Sequence, residues 1–354
     1  MALKASIPVP VEADYTVRKV ILTDRYLVTG TVTGWVTILD LQNLPQERNT
    51  DPSVYQKFFQ ADRWWDLDCR DDTIATANEN GTVTLWDVHT SSRKGDLVGH
   101  TALVKVVLLP PNQQIIISGS KDASIIVWDA VSNQRRSTLI GHRERIQMLK
   151  IFDNTLVSAS DDGMVRVWGL TTDSCVHVFE GHDGGVLAVE MNESRTLLAA
   201  GTIQGDVKIW DLDNGIAVAA CHGHTKLPIQ FSNAPDNVLI SAAVDGTIRS
   251  WDWASGNLIR ILDAHNRQAV RGLVFTVKFM ISGGNDGCLH VWDRETWQFR
   301  FDLRERGNVG HVYQVVKGGN LLAAALLHNG EEGTVIELWD LTGLEERELE
   351  TKAE

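Results

Sequence analysis

One residue type returns along this chain at a nearly constant interval. Trp86, Trp128, Trp168, Trp210, Trp251, Trp292 and Trp339 each close a short apolar run, Leu39 holds the same place once before them, and the intervals are 40 to 47 residues. Seven of the 12 tryptophans fall into this series, which chance does not produce. A fixed period of this length marks one supersecondary unit repeated many times. The clearest copy runs from Gln114 to Asp129. An apolar run, Ile115 to Ile117, meets a small polar cluster; a turn carries Asp122, and a second apolar run ends at Trp128. Two β-branched runs joined by a tight polar turn read as a hairpin. Gly99 and His100 open the same unit. Its spacing lets an imidazole (His100), a hydroxyl (Ser118), a carboxylate (Asp122) and an indole N–H (Trp128) form one buried chain of hydrogen bonds.

Eight units follow from this template. The sets His142, Ser158, Asp162, Trp168 and His224, Ser241, Asp245, Trp251 are complete, as is His265, Ser282, Asp286, Trp292, although Ala264 precedes its histidine. The fifth unit keeps His182 and Trp210 but offers Ala200 and Gln204; the second has Asn80 where Asp is expected. The first unit, Val17 to Asp40, replaces Trp with Leu39, and the eighth carries the insertion 328–333. The connector from Leu41 to Ser53 is polar with two prolines and reads as a loose loop. One four-stranded sheet cannot bury both its faces, whereas sheets packed radially cover one another and protect their edges. The last unit stops after its third strand, so the segment from Ala5 to Val11 is expected to supply the fourth; Pro8 and Pro10 are tolerable on such an outer edge. The charged tail, 343–354, is expected to stay unfolded beside a single folded domain, 1–342.

Composition narrows the function. At 354 residues, 43% hydrophobic, the chain has an ordinary soluble composition. A formal net charge of −13 makes it a poor generic ligand for nucleic-acid backbones or anionic membranes. The four cysteines, Cys69, Cys175, Cys221 and Cys288, are scattered without a CxxC, as expected for reduced thiols in the cytoplasm or nucleus. The opening residues lack an apolar core long enough for a signal peptide. Histidines at five equivalent repeat positions cannot converge on one metal, and His222 beside His224 reads as a loop residue. Repeated Ser-His-Asp sets with Trp attached are scaffold hydrogen bonds rather than an activated nucleophile. Neither a Walker loop nor a GxGxxG following a strand is present. No catalytic residue, metal or cofactor is therefore expected.

The variable positions carry the functional expectation. Just before each turn Asp stand Glu79, Lys121, Asp161, Ile203, Val244 and Asn285. The loops before the innermost strands hold Arg63, Trp64, Trp65, Arg143, Arg145, Lys226, Arg267 and Tyr313. Trp and Arg are common interface anchors, and repeat geometry requires neither Trp64 nor Trp65.

The Gly-His opening and Trp-Asp close of the unit resemble the WD40 repeat. The resemblance implies an all-β fold: a closed eight-bladed WD40 β-propeller, four antiparallel strands per blade, with the N-terminal strand completing the last blade. The count of eight, the stretch Ser241 to Asp252, and the closing unit from Val312 through Asp340 are similar to the F-box/WD-repeat substrate receptors of ubiquitin ligases. In that family an aromatic residue and several arginines hold phosphorylated peptides. By position they fall here on Trp65, Lys105, Lys121 and Gln147. Two cations are thus Lys, a point charge without the planar fork of Arg. About a dozen residues precede the first expected strand, too few for the helical adaptor-binding segment. The expectation is a non-catalytic protein-interaction scaffold docking a protein or peptide, or alternatively a receptor for acidic or phosphorylated peptides. It would be a monomeric propeller within a larger complex, without membrane or nucleic-acid partners.

Overall fold

The computed structural model describes residues 2–8, 17–43, 56–59, 63–111, 114–234, 237–303, 309–328, 334–342 and 344. Its strands form eight four-stranded antiparallel sheets, the blades of an eight-bladed β-propeller. Blades are numbered here in chain order, and each runs from an innermost to an outermost strand.

The chain divides into two compact units. Ala61–Asp263 holds blades 2 to 6, whose innermost strands are Trp64–Arg70, Val104–Leu108, Ile146–Phe152, Val186–Met191 and Pro228–Ala234. Successive members of this series lie against one another. The second unit, Met1–Gln60 with Ala264–Glu354, holds blades 1, 7 and 8. There the innermost strand of blade 8, Val309–Gly318, lies between Val270–Phe275 of blade 7 and Val17–Leu22 of blade 1.

The core lies between blades rather than within them. Blades 2 and 3 share a layer of Ala75, Val83, Leu97, Val107, Ile116 and Trp128. Blades 3 and 4 share Ile117, Leu139, Leu156 and Trp168; blades 4 and 5 share Val157, Phe179, Val189 and Trp210; blades 5 and 6 share Ile209, Phe231, Leu239 and Trp251. Each of these four tryptophans therefore packs toward the blade before it. In the other unit, Trp339 does so in the layer between blades 7 and 8, and Leu39 fills the same role between blades 8 and 1. The tryptophan period read from the sequence is thus the period of interblade burial, the dominant favourable contribution to such a fold. Small residues at the second-strand position answer close approach: a Cβ on Gly119 would stand 2.7 Å from Ile146 Cγ2 of the next blade.

Two sequence expectations need correction. The strand that completes blade 8 is Ala2–Pro8, pairing antiparallel with Thr334–Asp340; it begins and ends three residues earlier than Ala5 to Val11. Pro10 lies outside the described residues. Leu344, assigned from sequence to the charged tail, is buried between blades 7 and 8; residues 345–354 lie outside the described set. Within the connector, Leu41–Asn43 forms a short 3-10 turn, and the rest is not described. Among the described residues no helix is long and apolar enough to cross a membrane.

Candidate functional site

The repeat histidines are structural. In blade 3, Trp128 Nε1 donates to Ser118 Oγ at 2.8 Å, that oxygen lies 2.8 Å from His100 Nε2, and His100 Nδ1 lies 3.1 Å from Asp122 Oδ2. Blade 4 repeats the chain through Trp168, Ser158, His142 and Asp162, blade 6 through Trp251, Ser241, His224 and Asp245, and blade 7 through Trp292, Ser282, His265 and Asp286. The four sets expected from sequence all form. Burial pushes each of these carboxyls up, but hydrogen bonds from the imidazole and the turn outweigh it. Asp122, Asp162, Asp245 and Asp286 all sit below the ordinary carboxylate range, Asp162 at about 2. In blade 5, where Ala200 replaces the serine, His182 Nε2 is buried with no hydrogen-bond partner. Burial, reinforced by the Lys208 charge, pushes that imidazole down to about 4.

The variable positions gather at one register point. Every innermost strand carries a one-residue bulge near its start. In blades 2 to 6 the bulged residues are Trp65, Lys105, Gln147, Leu187 and Ile229. In blades 1 and 7 they are Arg18 and Arg271, and blade 8 has two, Gly310 and Tyr313. A bulge re-aims its side chain out of the ladder. The residue before each turn Asp joins the same place: the backbone N–H groups of Glu79, Lys121, Asp161, Ile203 and Val244 return to the carbonyls of Arg63, Leu103, Arg145, Gly185 and Leu227.

Side chains link these positions within blades 2 to 6. Trp65 Nε1 donates to Glu79 Oε1 at 3.2 Å, and Lys105 Nζ lies 4.3 Å from the centroid of the Trp65 ring. Arg145 Nε and Gln147 Nε2 both donate to Asp161. Lys121, Arg143 and Lys226 are exposed, and their ammonium or guanidinium groups bond to no described residue. Further round, the surface turns apolar at Leu187, Ile203 and Ile229, with Ile203 55% exposed.

The residues singled out in the sequence fall at the bulges, in the adjoining loops and in the core. Trp65, Lys105 and Tyr313 are bulge residues, and Arg63, Arg143, Arg145 and Lys226 stand in the adjoining loops. Trp64 is a correction: it is fully buried, because it is the ladder residue before the bulge, paired with Asn78 and facing the core. Arg267 sits in the loop in a left-handed conformation, φ 62°; the bulge residue of blade 7 is Arg271, whose Nε donates to Asn285 Oδ1 at 2.9 Å. Tyr313 is half-buried against the core shared by blades 8 and 1. Leu187 and Ile229 follow His182 and His224 by the same five residues that separate Lys105 from His100 and Gln147 from His142, whereas Arg271 follows His265 by six because its loop is one residue longer. Counting back from the pre-turn residue finds Arg271, since Trp65 and Glu79, Gln147 and Asp161, and Arg271 and Asn285 share one offset, but it does not find Leu187 or Ile229, which lie farther from Ile203 and Val244.

Sequence comparison matches residues 91–129, 215–252 and 256–293 to the WD domain, G-beta repeat, and residues 142–213 to the TEP-1 C-terminal beta-propeller. The chain carries WD40 repeats. It is 27% identical over 142 residues to cilia- and flagella-associated protein 52 of Chlamydomonas reinhardtii, covering 40% of this chain and 23% of that protein. A match of 28% over 142 residues relates it to the DENN domain and WD repeat-containing protein SCD1 of Arabidopsis thaliana, over 40% of this chain and 12% of the relative. The chain thus spans less than a quarter of either relative. In fold, it superimposes on a crystal structure of the computationally designed Ika8 protein with a TM-score of 0.78 at 24% identity, over 96% of this chain and 99% of that one. The WD40 matches suggest a protein-interaction scaffold in general terms.

Proposed function

We propose that this WD40 protein is a non-catalytic scaffold that docks a partner protein or peptide on the bulged ends of blades 2 to 6. The observation that carries this reading is the pair Trp65 and Lys105, an indole and an ammonium stacked across neighbouring blades at positions the repeat does not require. Interfaces concentrate energy in such aromatic and cationic anchors. Lys121, Arg143 and Lys226 add exposed positive charge, and Ile203 adds exposed apolar surface. A rigid stack of sheets presents these groups already ordered, which lowers the entropic cost of binding.

Acidic or phosphorylated peptides are the second reading, favoured by the cations around Trp65. Against it, Asp161 already engages both Arg145 and Gln147, and lysines do not offer bidentate phosphate contacts. Affinity purification with mass spectrometry should compare the intact chain with a Trp65→Ala, Lys121→Ala double variant and an outer-strand control such as Val178→Thr. Loss of specific partners only in the double variant is expected; an unchanged partner set sinks the docking surface. Titrating matched peptides with and without phosphate against Lys105→Ala and Lys121→Ala separates the two readings. Phosphate-independent affinity would exclude phosphate recognition, and affinity that is also unchanged in both lysine variants would exclude acidic peptides.

A further inference from the structure

Blade 7 differs from its sister blades in one buried cluster. His290 occupies the third-strand position that holds Ile126, Arg166, Lys208 and Arg249 in blades 3 to 6. Its ring stacks on His265 with centroids 4.6 Å apart. His290 Nε2 lies 3.7 Å from Asp286 Oδ2, and His265 Nδ1 lies 2.8 Å from Asp286 Oδ1. The three side chains are nearly closed to solvent, at 0%, 8% and 10% exposure for His265, Asp286 and His290.

One atom in this cluster is out of place for a plain relay. In blades 3, 4 and 6 the turn carboxylate also accepts the backbone N–H after the histidine, from Thr101, Arg143 and Thr225. In blade 7 the corresponding residue, Asn266, adopts a left-handed conformation, φ 49°, and Asp286 Oδ2 accepts no hydrogen bond. A buried carboxylate oxygen without a partner is costly. It faces an imidazole nitrogen instead.

We propose that His265 Nδ1, Asp286 Oδ2 and His290 Nε2 form a binding site for a divalent transition-metal ion of the zinc class. Candidate ligand atoms on the three residues lie within 4.8 Å of one another. Zinc bonds of about 2.0–2.2 Å place tetrahedral ligands roughly 3.4 Å apart, so a small inward movement closes the site. Two imidazoles and one carboxylate suit zinc rather than calcium or magnesium, which take oxygen ligands. The outer contacts fit as well. His290 Nδ1 is hydrogen-bonded to the Asp302 carboxylate, the acceptor that orients a metal-bound histidine. His265 Nε2 lies 2.9 Å from Ser282 Oγ. On metal binding the single proton of neutral His265 moves from Nδ1 to Nε2 by exchange with solvent, which frees the Nδ1 lone pair for the metal. The Ser282 hydroxyl then accepts from both His265 and Trp292 and turns its own hydrogen away. Water fills the fourth position.

The test is a zinc titration of tag-free, metal-stripped protein in competition with a colorimetric chelator. The expected result is one tightly bound ion per chain and a raised melting temperature. His290→Gln should weaken binding at least tenfold, Asp302→Asn by about 10- to 100-fold, and His222→Ala on the surface should change nothing. No uptake by the intact chain, or undiminished affinity in His290→Gln, overturns the site. If His290→Gln fails to fold by circular dichroism, Asp302→Asn decides: full affinity there rejects the proposal.

Discussion

The smallest unit of this fold is a hydroxyl. Ser158 Oγ accepts from Trp168 Nε1 at 2.8 Å and stands 2.7 Å from His142 Nε2, so one oxygen satisfies two buried rings. Ser158→Ala strands both, and at about 1–3 kcal/mol for each orphaned group the loss should be a few kcal/mol in chemical unfolding. Blade 5 is the natural counterpart, because Ala200 leaves His182 Nε2 buried without a partner. Ala200 holds the same register opposite Lys208 that Ser158 holds opposite Arg166. Ala200→Ser should therefore restore the relay and stabilise by about 1 kcal/mol. A destabilised variant would mean the added oxygen meets no room or no partner. These relays were legible in the sequence because each rests on four residue types at fixed spacing. His290 was not, because strand periodicity marks its position without saying what chemistry it meets across the blade.

At the scale of the hairpin, the turn at each relay Asp position imposes a backbone rule, including blades 2 and 5, where Asn80 and Gln204 stand there. Gly81, Gly163, Gly205, Gly246 and Gly287 take it with φ between 76° and 100°, while Ala123 stands in the same turn at φ 67°. A left-handed conformation costs a residue with a Cβ roughly 1–2 kcal/mol. Ala123→Gly should raise stability by about 1 kcal/mol after the greater entropy of glycine in the unfolded chain is counted. Calorimetry showing a lower melting temperature would mean the Ala123 methyl packs better than its strain costs. Strand pairing and blade count were readable from the tryptophan period, since the same residue closes the third strand and fills the layer toward the preceding blade. The bulges were not readable: a bulge adds one residue to one strand without altering composition. That is why Trp64 and Trp65 looked alike in sequence, although one lies in the core and the other on the surface.

Across the molecule, buried carboxylates and imidazoles tie stability to pH. Asp122, Asp162, Asp245 and Asp286 titrate below their unfolded values in the fold. Their contribution is complete above the unfolded carboxylate value of about 4 and is lost as pH falls through the folded values, about 2 for Asp162. His182, His224 and His265 are also pushed down, by burial first. An unfolded imidazole takes up a proton below about 6.5 while the buried one stays neutral, so this second loss begins earlier. For His182 it runs from there down to about 4. His290 runs the other way: burial opposes its charge, yet Asp286 and Asp302 outweigh burial and raise it, so its contribution persists at low pH and fades as pH rises. Net charge is a competing effect, since the chain carries −13 at neutrality and mild acid relieves that repulsion. A variant separates the two. His182→Phe keeps an aromatic ring against Trp210 and removes one titrating group, leaving the overall charge at pH 7 unchanged. Melting temperatures measured from pH 7 to pH 4 should fall less steeply in His182→Phe than in the parent chain, and the two curves should run parallel again below pH 4. Equal slopes across pH 7 to 4 would show that His182 titrates in the fold as it does in the unfolded chain, and that its burial carries no pH dependence.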